Sequence, residues 1–425
     1  MVKRLFSVML LVTVLIVSLT ASVGLAAKQA NLMGVTAIAE TLEEGQKVTA
    51  VALEYSESIA AEAVTTGMFS VSGRQITRAY VNNTGDKGDV KAAGNHVVLE
   101  LAIDPVPGSP LGSTLLYANG SNHRLALYLN VAQTADITTV AGNVLQAGSF
   151  LNTKERNLGV DGLYKAHIYT NPEDGTELGY RLFVPEDIDE PLPLVVFLHG
   201  GGEGGTNNIA QLLANRSALE WTTERAQAAN PCVVLAPQCP PDSGGWSSNT
   251  GNLLDVIHML IEEYNIDTSR IYGTGLSAGS AGTWAMAVEN PSLYAALVPV
   301  CGGHRFSDKQ IAVLADKPIW AFIAADDNPA GMRTAIEQLE LLGGIVVRNV
   351  DDEAWNGFLR GPKADEQALK QLADAENADA NIMYTEYIAG TVLPFGHWSW
   401  MAVFSTDAVR EWVFAQRQET PYVPK

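Results

Sequence analysis

Gly275-Leu276-Ser277-Ala278-Gly279 has the spacing that turns a serine into a nucleophile. The five residues follow an apolar run, Ile271 to Thr274, that reads as a strand, and precede Ala281 to Asn290, a helical run that Pro291 stops. A strand, a tight turn and a helix in that order lift a serine hydroxyl clear of the end of a sheet. The turn strains the serine backbone and leaves no room for side chains two residues to either side, which accounts for Gly275 and Gly279. The pentapeptide alone is weak, since chance supplies one in roughly one chain in ten. Its place between a buried strand and a helix gives it weight.

A serine hydroxyl is a poor nucleophile until a base takes its proton, and an imidazole doing that work needs a carboxylate to hold its tautomer. His96, His123 and His167 precede the buried strands, His199 opens a loop, and His258 sits within a helix. His304 comes too soon after the strand Ala296 to Val300 for the order serine, acid, histidine. That leaves His397, in Pro394-Phe395-Gly396-His397-Trp398, as the base. The acid must follow the strand Ile319 to Ile323, where Asp326 and Asp327 both qualify. Neighbours in an extended loop face opposite ways, so one of the two can meet the imidazole.

Attack on a carbonyl places negative charge on its oxygen, and bare backbone amides stabilise it best. His199-Gly200-Gly201-Gly202 follows the strand Leu194 to Leu198, where such a loop belongs, so the amides of Gly201 and Gly202 are the expected donors, with Ala278 as the second site. Losing one such donor typically costs about 2.7 to 4 kcal/mol. No Gly-Lys-Ser/Thr follows the glycines, which disfavours a phosphate loop. Gln238, Trp246 and Trp398 are the expected substrate contacts, with Trp400 beside them. No spacing of histidines and carboxylates resembles a metal site, so neither a metal nor a cofactor is expected.

These residues need a scaffold, and the chain from 160 to 420 alternates apolar strands with helices. Leu194 to Leu198, Val233 to Ala236, Ile271 to Thr274, Ala296 to Val300 and Ile319 to Ile323 are continuous apolar runs, as in a parallel sheet covered on both faces. Leu253, Val256, Ile257, Leu260, Ile261 and Tyr264 form a helical stripe able to cover one face. The tyrosine-bounded runs Tyr164 to Tyr169 and Tyr180 to Val184 flank Asp174-Gly175 as a hairpin, Met383 to Ile388 is the expected last strand, and Asp407 to Gln416 the closing helix. The fold class is therefore α/β, an α/β-hydrolase fold, with its functional loops at the carboxyl ends of the strands.

Residues 28 to 150 differ in period. Val97, Leu99, Leu101 and Ile103 alternate with polar or small residues, as do Leu125, Leu127, Leu129 and Val131, and turn residues separate the runs. This reads as a small all-β, immunoglobulin-like sandwich of about 100 residues. It contains no cluster of nucleophile, base and acid, and is assigned no chemistry. Residues 1 to 27 have the form of a cleaved signal peptide: Lys3-Arg4, an apolar stretch from Leu5 to Leu19, and Gly24-Leu25-Ala26-Ala27. A secreted protein without stable membrane insertion is expected. Among the 425 residues the net charge is -20, which disfavours nucleic acid as a partner. Cys232 and Cys239 bracket one strand, some 23 Å apart when extended, against a bridging limit of roughly 7 Å. They and Cys301 are expected to be buried thiols.

Four separated motifs occur in order: His199-Gly200-Gly201-Gly202-Glu203 to Asn208; Ala236-Pro237-Gln238-Cys239-Pro240 with Trp246; Asp267 to Tyr272 leading to Gly282-Thr283-Trp284; and Pro299-Val300-Cys301-Gly302-Gly303. Over residues 160 to 415 the chain resembles secreted bacterial esterases, phospholipase/carboxylesterase-like and poly(hydroxyalkanoate)-depolymerase-like, some with an immunoglobulin-like N-terminal domain. The resemblance implies hydrolysis of a small-molecule or polymeric ester by a Ser, Asp, His triad without a cofactor. Counting from Trp320 in the family's Trp-Ala-Phe pattern places the acid at Asp327. The chain departs from the family at Ile323-Ala324, where His-Gly is usual, and at His304-Arg305, where Gly-Asp is usual. The stretch from Ile345 to Ala380, with a helical run Ala364 to Asn377, exceeds the family's usual link and is either a surface decoration or a lid or pocket wall. A prolyl-oligopeptidase-like peptidase is the alternative function, and a catalytically dead binding protein would require a broken triad or elbow, which the sequence does not show.

Overall fold

The computed structural model describes residues 32–104, 106, 109–186, 190–241, 243–303 and 305–424; the expected signal peptide and His304 lie outside the described residues. The N-terminal part packs two sheets face to face. A five-stranded sheet runs in the order Lys154–Leu158, Leu32–Leu42, Gly45–Ala60, Ala93–Leu101, Ile76–Asn82, and a three-stranded one in the order Gly148–Leu151, Asn130–Gln133, Phe69–Val71. Val51, Leu53, Val97, Leu99, Val131 and Phe150 fill the space between them. The period-two reading identified this layer, but Lys154–Leu158, pairing in parallel with the first strand, carries the sheet past the expected end at Phe150.

The expected strand from Leu125 to Val131 forms only in its second half, as Asn130–Gln133. Leu127 and Leu129 do pack on the sandwich core. Their backbone finds partners outside a ladder: the Leu125 amide donates to the Thr114 carbonyl and the Leu129 amide to the Asn152 side chain. Alternation reports which side chains face inward, and it does not distinguish a paired strand from an extended crossing.

The second part is built on nine strands: β1 (Lys165–Thr170), β2 (Glu177–Phe183), β3 (Leu192–Leu198), β4 (Val233–Gln238), β5 (Ile266–Leu276), β6 (Ala296–Val300), β7 (Ile319–Ala324), β8 (Val346–Asn349) and β9 (Ile382–Tyr387). Their order is β1-β2-β4-β3-β5-β6-β7-β9-β8. The first two are antiparallel and the rest parallel. This is the α/β-hydrolase sheet. Each central strand is buried along its length because helices cover both faces, α1 (Thr250–Glu263) with Leu253, Val256, Ile257 and Leu260 inward, and α2 (Ala278–Glu289), α3 (Ala330–Leu341), α4 (Pro362–Asn377) and α5 (Asp407–Ala415) around them. The strand β8 was not legible: it spans four residues at a sheet edge, three half-buried and Asn349 buried, too few to set a period. It opens the 345–380 insertion, which α4 continues. The three cysteines are free and buried.

Candidate active site

At the carboxyl end of β5 the chain turns into α2 through Ser277, whose backbone stands at φ 53° and ψ -118°. A side chain here tolerates that conformation poorly, and the structure holds it with two contacts to the Ser277 amide, which donates to the Val300 carbonyl at 2.9 Å and to the Cys301 sulfur at 3.2 Å. The flanking glycines are obligatory. A Cβ on Gly279 would stand 1.9 Å from the Leu198 carbonyl oxygen, and one on Gly275 would stand 2.5 Å from that of Gly279. The elbow therefore presses against the end of β3, which brings the glycine loop alongside the serine: a Cβ on Gly200 would lie 3.4 Å from that of Ser277.

His397 reaches Ser277 from the loop after β9, its Nε2 2.9 Å from the serine Oγ. Its Nδ1 lies 2.8 and 2.9 Å from the two carboxylate oxygens of Asp327. With Nδ1–H donating to that carboxylate, Nε2 is left as the acceptor for the serine proton. Asp326 instead accepts from the Gly390 amide at 3.0 Å. Trp400 packs edge-on to the imidazole, ring centres 5.5 Å apart, and fixes the plane in which it lies. Cys301 lies against Ser277, Asp327 and His397. Burial first, and the Asp327 charge second, push its thiol pKa well above the usual value, so the sulfur is a neutral acceptor for the Ser277 amide. Cys301, Asp327 and His397 bring possible metal-ligating atoms within 4.8 Å of one another. The imidazole Nδ1 and the carboxylate already face each other in that group.

Gly201 and Gly202 open a single 3-10 turn, Gly201–Glu203, beside the serine. Behind the turn stands a set of buried polar side chains. Gln238 receives the Asn208 amide at 2.6 Å and donates to the Glu203 carbonyl and the Asn207 side chain, both at 2.9 Å. His199, fully buried with its pKa lowered to about 4 by burial, accepts the Cys239 amide at Nε2. Trp246 donates its indole N–H to the His199 carbonyl at 2.9 Å and packs under Gly282. Gln238 and Trp246, expected at the substrate, thus lie outside the cavity walls and brace the loop from behind. Trp398 and Trp400 do line the cavity.

That cavity, about 850 Å3, contains Ser277, His397, Gly201 and Gly202 on one side. Its other wall comes from the N-terminal sandwich, through Leu115, Leu116, Tyr117 and Asn122. These belong to a hairpin, Leu115–Ala118 with Ser121–Arg124, that projects across the interface. Asn122 donates to the Gly202 carbonyl at 3.0 Å, and the Tyr117 ring lies 3.1 Å from where a Gly202 Cβ would be. Glu203 is buried at the same place, with Asn215 3.4 Å from its carboxylate, and burial raises its pKa to about 7. Sequence reasoning missed the hairpin and Glu203, since a short polar turn and one acid in a glycine run carry no signal of where they dock.

The profile of the esterase Ig-like N-terminal domain family matches residues 34–146. The crystal structure of a thermostable esterase is 33% identical in sequence and superposes with a TM-score of 0.77, covering 91% of this chain and all of that one. Acetylxylan esterase A of Emericella nidulans is 24% identical over 144 residues, which is 31% of this chain and 44% of that protein. Poly(3-hydroxyalkanoate) depolymerase C of Paucimonas lemoignei is 30% identical over 126 residues, 28% of this chain and 30% of its own length. The matched stretch thus spans less than half the length of either curated relative. With one likeness running through the whole of a solved esterase and another confined to the N-terminal sandwich, the chain belongs to the family of α/β-hydrolase esterases that carry an immunoglobulin-like N-terminal domain.

Proposed function

We propose that this protein is a secreted serine esterase that hydrolyses carboxylic esters through an acyl-enzyme on Ser277. The observation that carries the reading is the line from Ser277 through His397 to Asp327, at 2.9 and 2.8 Å, opening onto a cavity of about 850 Å3. His397 takes the serine proton as Oγ attacks the ester carbonyl, and Asp327 stabilises the imidazolium that forms. The amides of Gly201, Gly202 and Ala278 receive the negative oxygen. Collapse of the tetrahedral intermediate breaks the bond to the alcohol, which leaves with the proton that His397 returns to it. Water then enters, gives its proton to His397, and releases the acid by the same steps in reverse order of roles. The ester is a small molecule or a polymer, and no metal or cofactor enters the scheme.

The N-terminal sandwich, read over residues 28–150 and extended by the strand Lys154–Leu158, and the residue 160–420 domain are the two units of this reading, preceded by a signal peptide over residues 1–27. Among the described residues no helix is long and apolar enough to cross a membrane. Nitrophenyl esters of rising acyl length, a feruloyl ester, a polyhydroxyalkanoate film and a peptide nitroanilide form the test panel. Turnover of at least one ester, absent in Ser277→Ala, is expected. Turnover of the anilide alone would move the assignment to a peptidase.

A further inference from the structure

A second cavity, about 460 Å3, adjoins the one that holds Ser277. Its walls come from three places: Leu42 of the N-terminal sandwich, Phe358 and Arg360 of the 345–380 insertion, and Leu393 and Met401 on either side of His397. Two stretches of chain join the cavities. Glu43 and Glu44 belong to both linings, and Leu393 in the second is two residues from Phe395 in the first. The lining is apolar where it is not already neutralised. Arg360 is held by Glu43 at 3.0 Å and by the carbonyls of Gly357 and Leu359 at 2.7 and 2.9 Å, and Arg216 by Glu220 at 2.9 Å. Each guanidinium is thus already paired with a carboxylate of the protein.

Phe358, Leu393 and Phe395 are 55%, 43% and 54% exposed, a strip of large apolar side chains along the route between the cavities. Such a strip on a soluble protein marks a place where something apolar is received. A small acetyl ester has the bulk of only a few waters at about 30 Å3 each, so it leaves most of the first cavity empty and does not reach the second. Resting on the esterase reading above, we propose that the second cavity is a subsite for the remote, uncharged end of an extended ester, one long enough to pass from Ser277 over the Glu43–Glu44 turn. The substrate class is then a long-chain or oligomeric ester, and the insertion is a pocket wall.

The test uses the full chain and three substrates: p-nitrophenyl acetate, p-nitrophenyl dodecanoate and a soluble oligomeric hydroxyalkanoate ester. The quantity read is kcat/KM for each extended ester divided by that for the acetate, in the wild type, in Phe358→Ala, which removes a wall, and in Leu393→Trp, which fills the space. The ratio is expected to exceed one in the wild type for at least one extended ester and to fall about tenfold in either variant, the range in which apolar pockets discriminate chain length. The extended ester for which it falls separates an alkyl chain from an oligomer as occupant. A ratio unchanged in both variants, or below one for both extended esters in the wild type, overturns the subsite while leaving ester hydrolysis standing. Failure to turn over any of the three would instead overturn the esterase reading on which it rests.

Discussion

Replacing Asn122 by alanine should slow turnover while leaving the chain folded. Asn122 stands on a hairpin of the N-terminal sandwich, yet its side chain donates to the Gly202 carbonyl at 3.0 Å, and Gly202 is one of the proposed oxyanion donors. Loss of one such hydrogen bond is worth about 0.5 to 1.5 kcal/mol net, or about a two- to twelvefold effect if the loop only loosens. The ceiling is loss of the donor itself, about 2.7 to 4 kcal/mol, or on the order of a hundred- to a thousandfold. The negative oxygen is absent from the bound ester and develops in the transition state that leads to the tetrahedral intermediate, so kcat should fall and KM stay nearly constant. Asn122→Asp should fall further, since a carboxylate cannot donate to the carbonyl and sets a charge beside the oxyanion. Steady-state hydrolysis of p-nitrophenyl acetate, with circular dichroism to confirm folding, reads the result. Unchanged kcat in both variants would refute the clamp, and a rise in KM alone would make Asn122 a substrate contact.

Four other substitutions probe the site. Asp327→Asn should lower kcat by up to about four orders of magnitude through the wrong histidine tautomer, whereas Asp326→Asn, whose carboxylate serves the Gly390 amide, should change it little; the opposite ranking in one assay would exchange their roles. Gly279→Ala drives a Cβ to 1.9 Å from the Leu198 carbonyl oxygen, so a loss of stability at or above the usual 1–3 kcal/mol of overpacking is expected in urea melts, and a native-like melt would show that the elbow can open. Glu203 holds its proton up to about pH 7 in the fold but only to about 4.5 when unfolded, so it favours the fold below pH 4.5 and this contribution is lost as pH rises to 7. At about 1.36 kcal/mol per unit the loss is on the order of 3 kcal/mol, and the melting temperature of Glu203→Gln should gain on the wild type between pH 5 and pH 8; a constant difference would contradict it.

The parallel sheet and the elbow were legible because each is local. Continuous apolar runs mark strands covered on both faces, and Gly275 and Gly279 report an approach of backbone to backbone within a few residues. His397 emerged from chain order alone. Gln238 and Trp246 did not behave as expected because their residue types suit two tasks, and tertiary contacts decide between them: Gln238, at the end of β4, donates to the Glu203 carbonyl, and Trp246, in the turn that follows, donates to the His199 carbonyl. The cavity's far wall was illegible for a different reason. Tyr117 and Asn122 meet Gly202 across eighty or more residues of sequence, and docking of one domain on another leaves no periodic trace. The sandwich, assigned no chemistry from its composition, shapes the site through that contact.

Covalent capture decides whether Ser277 is the nucleophile. Incubation of the full chain with a fluorophosphonate, followed by digestion and mass spectrometry, should give one adduct on the peptide carrying Ser277, at a rate matching loss of esterase activity, and Ser277→Ala should show neither adduct nor turnover. An adduct on another residue with full inactivation, or esterase turnover persisting in Ser277→Ala, would contradict the account.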